Sequence, residues 1–182
     1  MRVYLDNVAV SGRVRGDLAP EVEMAAIREI DVAHRAGRIK RVTSQESVRE
    51  QSRTRNPVVR AKLEAASAEV SVVSSDYFTR SQRQTDSHDP QLGAPDSGYP
   101  GDEELFKRIV GIGLMEANAR HLVNAVVSKC VRFITLDPDF LDRRAALEAG
   151  CSSIKIMRPT EFTAELRAPT GLRRMRAVSA GR

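Results

Sequence analysis

The chain has no apolar run approaching the roughly 20 residues that span a bilayer, and its N-terminus lacks the basic, apolar and small-residue succession of a signal peptide. A soluble, cytoplasmic protein with no membrane partner is therefore expected. There are only two cysteines, Cys130 and Cys151, and they stand in no metal-ligand spacing to each other. They read as small buried apolar residues rather than as a disulfide. No glycine-rich phosphate loop is present, and no lysine follows a late strand. Both absences argue against a nucleotide-binding or receiver-type phosphoryl-transfer domain. No internal repeat is visible. From Leu166 onward there is also no acidic residue, although five arginines (Arg167, Arg173, Arg174, Arg176 and Arg182) lie there. Since the whole chain has 29 basic and 24 acidic residues, its +5 charge resides entirely in that tail. A basic terminus of this kind is a solvated, disordered segment that can add non-specific attraction to phosphate backbones.

What is present is a chain of 182 residues, 41% of them hydrophobic, enough for one well-cored domain. "RVYL" at Arg2 to Leu5 reads as a strand ending at Asp6. Pro20 suits the first position of a helix carrying Val22, Ala26, Ile30 and Ala33 at helical spacing, which stops at Gly37. A second strand, Ile39 to Thr43, leads to Ser44 as an N-cap. A helix follows the Asn56-Pro57 break, and "EVSVV" gives a third strand. Residues 79–101 are polar, rich in Pro, Gly, Ser and Asp, and without apolar periodicity, as in a mobile loop or insertion. Helical patterning resumes at "DEELFKRIVGIGL" and "EANARHLVNAVVSK". "VRFITL" is a fourth strand ending at Asp137, Pro138 opens a helix "PDFLDRRAALEAG", "SIKIM" is a fifth strand, and Pro159 begins a last helix. Strands alternating with helices imply an α/β fold in three α/β/α layers around a five-stranded parallel sheet. The expected domain spans residues 1–165, followed by the basic tail, 166–182.

Ligands of an open parallel sheet bind beyond the carboxyl ends of its strands. Asp6 immediately follows the first strand, and Asp137 and Asp139 follow the fourth. Glu46 and Glu50 lie one turn apart on the helix after the second. If strands one, two and four are neighbours, these acids converge. Clustered carboxylates repel unless a cation sits among them, and hard oxygen donors without Cys or His suit Mg²⁺ or Mn²⁺. Taken singly, each acid has a plainer role: loop starter, helix cap, solvated helix charge, or, for Asp139, a favourable partner of the helix dipole. Asn118 poses the sharper question, because it falls on the inner side of "EANARHL", where an amide is costly to bury without partners.

Several stretches are similar to PIN-domain proteins, especially the VapC-like group with a "YLDN" opening. "VYLDNVAVSG" resembles that opening, and "VTSQESVREQSRTRNP" resembles the strand, Ser and Glu segment closing in Asn-Pro. "ANARHLVNAVVSKCVRFITLDPDFL" resembles the helix and final acidic strand, and "IKIMRPTEF" the closing strand and Pro-x-Glu turn. The resemblance omits residues 79–101 and the tail. It implies a metal-dependent endoribonuclease of toxin type, acting on RNA with Mg²⁺ or Mn²⁺ and restrained by a cognate antitoxin protein, with a homodimer also reasonable. Carried over residue by residue, it implies Asp6 and Asp137 as principal metal ligands and Glu50, rather than Glu46, as the acid that completes the site and positions water. Thr135 matches a supporting hydroxyl. Asp139 either contributes through water or serves the helix start, and Asn7 either orients Asp6 or forms a turn. The family's third acid falls on Asn118, whose amide can ligate but brings no charge. His121 is expected as a structural hydrogen-bond partner. The basic residues Arg49, Arg53, Arg55, Arg60 and Lys62 could face a phosphate backbone or be a solvated helix surface. A second implied reading is a catalytically impaired PIN-fold module that binds RNA or a protein.

Overall fold

The computed structural model describes residues 1–7, 9–11, 20–68, 70–73, 100–151 and 153–168. Most of the 79–101 segment and the tail beyond residue 168 lie outside the described residues. The strands are β1 (Arg2–Leu5), β2 (Lys40–Ser44), β3 (Ser71–Val73), β4 (Arg132–Ile134) and β5 (Lys155–Met157). They form one parallel sheet in the order β3-β2-β1-β4-β5. The described helices of eight residues or more are α1 (Glu21–Arg35), α2 (Gln45–Ser52), α3 (Pro57–Ala68), α4 (Pro100–Gly111), α5 (Glu116–Val127), α7 (Arg144–Cys151) and α8 (Pro159–Arg167). A short α6 (Pro138–Asp142) lies between α5 and α7 in the chain.

The alternation of β1 separates two cores. Val3 and Leu5 face one side with Met24, Ile27, Ile30, Leu63 and Phe162, so α1, α3 and α8 cover that face. Tyr4 faces the other with Leu122, Val123, Ile109, Phe133 and Leu147, under α4, α5 and α7. This is the expected three-layer α/β/α arrangement, and it arises because strands buried on both faces must be apolar at successive positions. Tyr4 and Phe133 stack at 5.0 Å, and Phe140 meets Phe133 at 4.7 Å. Truncating a wholly buried side chain such as Leu122 or Ile27 to Ala would cost about 2–5 kcal/mol. A buried Arg41–Asp31 ion pair ties β2 to α1.

Several local expectations shift by a residue or a face. Pro20 caps α1 from outside rather than beginning it. Val22 is exposed, whereas Ala26, Ile30 and Ala33 are buried as expected and are joined in the stripe by Met24 and Ile27. β4 ends at Ile134, although Thr135 N–H still donates to the Met157 carbonyl at 3.0 Å. The single helix read after Pro138 is two, interrupted at Arg143. Pro100 already begins α4, and α8 continues to Arg167, so both helices encroach on segments read as irregular. Ser44 does cap α2, accepting from Ser47 N–H. Both cysteines are free and buried, with thiols pushed up to about 11 by desolvation. Among the described residues no helix is long and apolar enough to cross a membrane.

Candidate functional site

β1 and β4 are adjacent, yet the chain leaves them toward opposite edges of the sheet, through β2 and β5. The crevice at such a switch point is the usual ligand site of an open parallel sheet. Asp6 follows β1 directly, and its N–H extends the ladder by donating to the Ile134 carbonyl at 2.9 Å. The Asp6 carboxylate is buried. Its Oδ1 accepts from Asn7 N–H at 2.7 Å and its Oδ2 from the Thr135 hydroxyl at 2.8 Å. The same Thr135 oxygen accepts from Asp137 N–H at 3.0 Å. Thr135 is wholly enclosed, so it locks the two strand-end acids to each other. Asp137 in turn caps α6 by accepting from Asp139 N–H at 2.9 Å, and its other oxygen accepts from the Asn118 amide at 3.1 Å. That contact answers the question posed by Asn118: its amide satisfies a carboxylate across the crevice.

Burial pushes the Asp6 carboxyl up from its ordinary value. The His121 charge and the donors Thr135 and Asn7 pull it down, and Asp137 pushes it up again; the net direction is upward. A carboxylate in that condition gains from a cation at its free lone pairs.

Glu50, on α2, has both oxygens held. His121 Nε2 meets Oε1 at 3.1 Å, and the Asn7 amide donates to Oε2 at 2.8 Å. Behind Asn7 runs a buried relay in which Gln51 donates to Asn7 at 3.1 Å and Ser67 donates to Gln51 at 2.7 Å. Behind His121, Nδ1 meets the Tyr4 hydroxyl at 2.8 Å, with Ser44 and Ser47 at 3.2 and 3.4 Å. Tyr4 directs its proton to Ser44 at 2.7 Å. With both of its nitrogens protonated, His121 takes the imidazolium form. Burial opposes that charge, but the Glu50 hydrogen bond and the charges of Asp6 and Glu50 outweigh it and move the imidazole upward. For Glu50 too, burial raises the carboxyl, while the His121 bond and charge and the Asn7 amide more than offset it and hold it low. Desolvation keeps the Tyr4 hydroxyl protonated.

No family model matches the chain, and no curated protein is significantly similar to it.

Among the described residues no group of three or more Asp, Glu, His or Cys side chains is arranged to hold a metal ion. Asp6 and Asp137 are nonetheless linked through one hydroxyl, and a Mg²⁺-like ion commonly takes one or two carboxylates and keeps its remaining waters. The pair fits such an ion. Glu50, turned toward His121 and Asn7, suits contact through water. Asp139 has its N–H bound by Asp137 and its carboxylate against Arg143 at 3.2 Å, so the helix-start role is the one its contacts describe. Glu46 faces Arg120 and Arg49, at 3.2 and 3.4 Å, and its charge adds to those that move His121 upward. Arg53 and Arg55 are exposed at the end of α2, and the Arg53 charge helps hold Glu50 low.

Tyr4, Ser47, Gln51 and Ser67 were not apparent as site residues from sequence, and Ser44 was legible only as a cap. A signal existed: Ser44, Ser47 and Gln51 follow one another by three and four residues, a polar stripe at the spacing of a buried helix face.

Proposed function

We propose that this chain is a divalent-metal-dependent endoribonuclease of the PIN type, akin to VapC-like toxins. The observation that carries the reading is the Asp6–Thr135–Asp137 unit: two acids fixed together by a buried hydroxyl, at the crevice between β1 and β4. A Mg²⁺ or Mn²⁺ ion held there would supply a water acidic enough to be a nucleophile at neutral pH and positive charge for the leaving oxygen. Asp6 and Asp137 would hold it through hard oxygen. Glu50 would orient the attacking water, and the His121 and Asn7 bonds keep that carboxylate ionised and in one rotamer. Asn118 steers Asp137 by donating to Oδ2. An RNA substrate, a cognate antitoxin protein, a homodimer and a cytoplasmic setting belong to the same proposal.

The test is cleavage of RNA by purified protein with Mn²⁺. Parent activity that survives Asp6→Asn unchanged overturns the assignment. One observation favours a second reading, an impaired module that binds RNA or a protein: Asn118 contributes an amide where a carboxylate would add charge. On that reading Asn118→Asp creates or sharply raises nuclease activity, and no gain shows that the amide is not the defect.

A further inference from the structure

Four side chains run in single file from α3 to Glu50. The Ser67 hydroxyl donates to Gln51 Oε1 at 2.7 Å, the Gln51 amide donates to Asn7 Oδ1 at 3.1 Å, and the Asn7 amide donates to Glu50 Oε2 at 2.8 Å. Gln51 is 1% exposed and Ser67 9%, so water does not replace either bond. The sense of the file is dictated from its Glu50 end. An ionised carboxylate only accepts, so Asn7 must turn its NH2 to Glu50 and its carbonyl to Gln51. Gln51 must then turn its NH2 to Asn7 and its carbonyl to Ser67. Reversing Gln51 alone sets its carbonyl against that of Asn7. Reversing both amides sets the Asn7 carbonyl against the Glu50 carboxylate. Dipoles aligned head to tail in this way polarise and strengthen one another inside a protein.

A plainer role exists: the Ser67–Gln51 bond ties α3 to α2. That tie needs nothing beyond the Gln51 carbonyl, whereas the Gln51 NH2 continues the file to Asn7, and Asn7 delivers it to one oxygen of Glu50. We propose that Gln51 and Ser67 are positioning residues, which act through Asn7 to hold the Glu50 carboxylate toward the crevice, so that α3 sets the geometry of an acid it does not touch. The activity arm of the test rests on the nuclease reading above; the arm that follows the Asn7 amide does not.

The activity arm measures RNA cleavage by the full chain with Mn²⁺. Gln51→Glu is nearly isosteric, but an ionised carboxylate has no donor for Asn7 and draws the Asn7 amide away from Glu50. It should lower kcat by about 10–100-fold, the usual effect of losing the support of a site residue, with KM little changed. Ser67→Ala should give a smaller loss in the same direction, because Gln51 keeps its own donor, and Ser67→Thr should restore the parent rate. Leu63→Ala, at a buried position one turn earlier on α3, should lower Tm and leave kcat unchanged. The second arm records the Asn7 side-chain amide signal by NMR in metal-free solution. Ser67→Ala, which does not touch Asn7, should shift that signal, and Leu63→Ala should not. The proposal is overturned if Gln51→Glu keeps the parent kcat, if its loss falls on KM, if Leu63→Ala lowers kcat equally, or if the Asn7 signal ignores Ser67→Ala. A parent chain that cuts no RNA with Mn²⁺ overturns the nuclease reading, and the Asn7 signal then decides this proposal alone.

Discussion

Thr135 offers the most direct test of how the site is built. It is wholly buried, and its one hydroxyl serves two acids, donating to Asp6 Oδ2 at 2.8 Å and accepting from Asp137 N–H at 3.0 Å. Thr135→Val keeps the shape and removes both bonds. A hydrogen bond to a charged group is worth about 1.5–3 kcal/mol and a neutral one about 1 kcal/mol, so the loss should be about 3 kcal/mol. For a domain of this size that lowers Tm by about 6–12 °C. The loss should also depend on pH in a defined direction. The Asp6 carboxyl already titrates above its unfolded value, and removing a donor to its charged form raises it further. The gap between parent and variant is therefore widest at pH values above the folded-state titration and shrinks as pH falls through it. Urea denaturation at neutral and at acidic pH measures both quantities. Thr135→Ser should restore most of the loss. A penalty under about 1 kcal/mol, or one of equal size at both pH values, would refute the view that Thr135 holds the two acids together.

Asp6→Asn should stabilise the protein in the absence of divalent ions, because it removes a buried charge that the fold holds above its ordinary titration range. The same variant should abolish a Mn²⁺-induced rise in Tm, which for the parent at about 100-fold excess over Kd is worth about 2.7 kcal/mol; an equal rise in both proteins, followed by scanning fluorimetry, refutes the Asp6 ligand assignment. His121→Gln should cost the most stability between about pH 4.5 and 6.5. Above that window the raised His121 loses its proton as pH passes its folded value, and below it the lowered Glu50 gains one as pH drops toward its own. A stability difference that stays flat from acidic to alkaline pH contradicts a charged His121–Glu50 pair.

The order of elements was legible because each carries a local cause. β1 is a short, largely apolar run followed at once by Asp6, Ser44 caps α2 by local geometry, and Pro138 and Pro159 occupy first helical positions, where a missing N–H costs nothing. The strand-end acids could be named for the same reason, since position after a strand is a property of sequence. Faces were less secure. Val22 fits the same apolar spacing as its neighbours and is exposed, because only packing against the sheet decides which side of a helix is buried.

The sequence by itself determined the strand and helix succession, the candidate acids and the basic bias of the tail, all of which depend on neighbours within a few residues. Only the tertiary structure decided that β1 lies between β2 and β4, that Thr135 bonds both acids, and that His121 and Asn7 divide the two oxygens of Glu50 between them. Apart from the local Thr135–Asp137 bond, those contacts join residues 43 to 129 positions apart. No local propensity encodes such pairings; they form because burial of both sheet faces fixes the strand order, and the polar groups enclosed by that packing must then find partners or be lost from the fold.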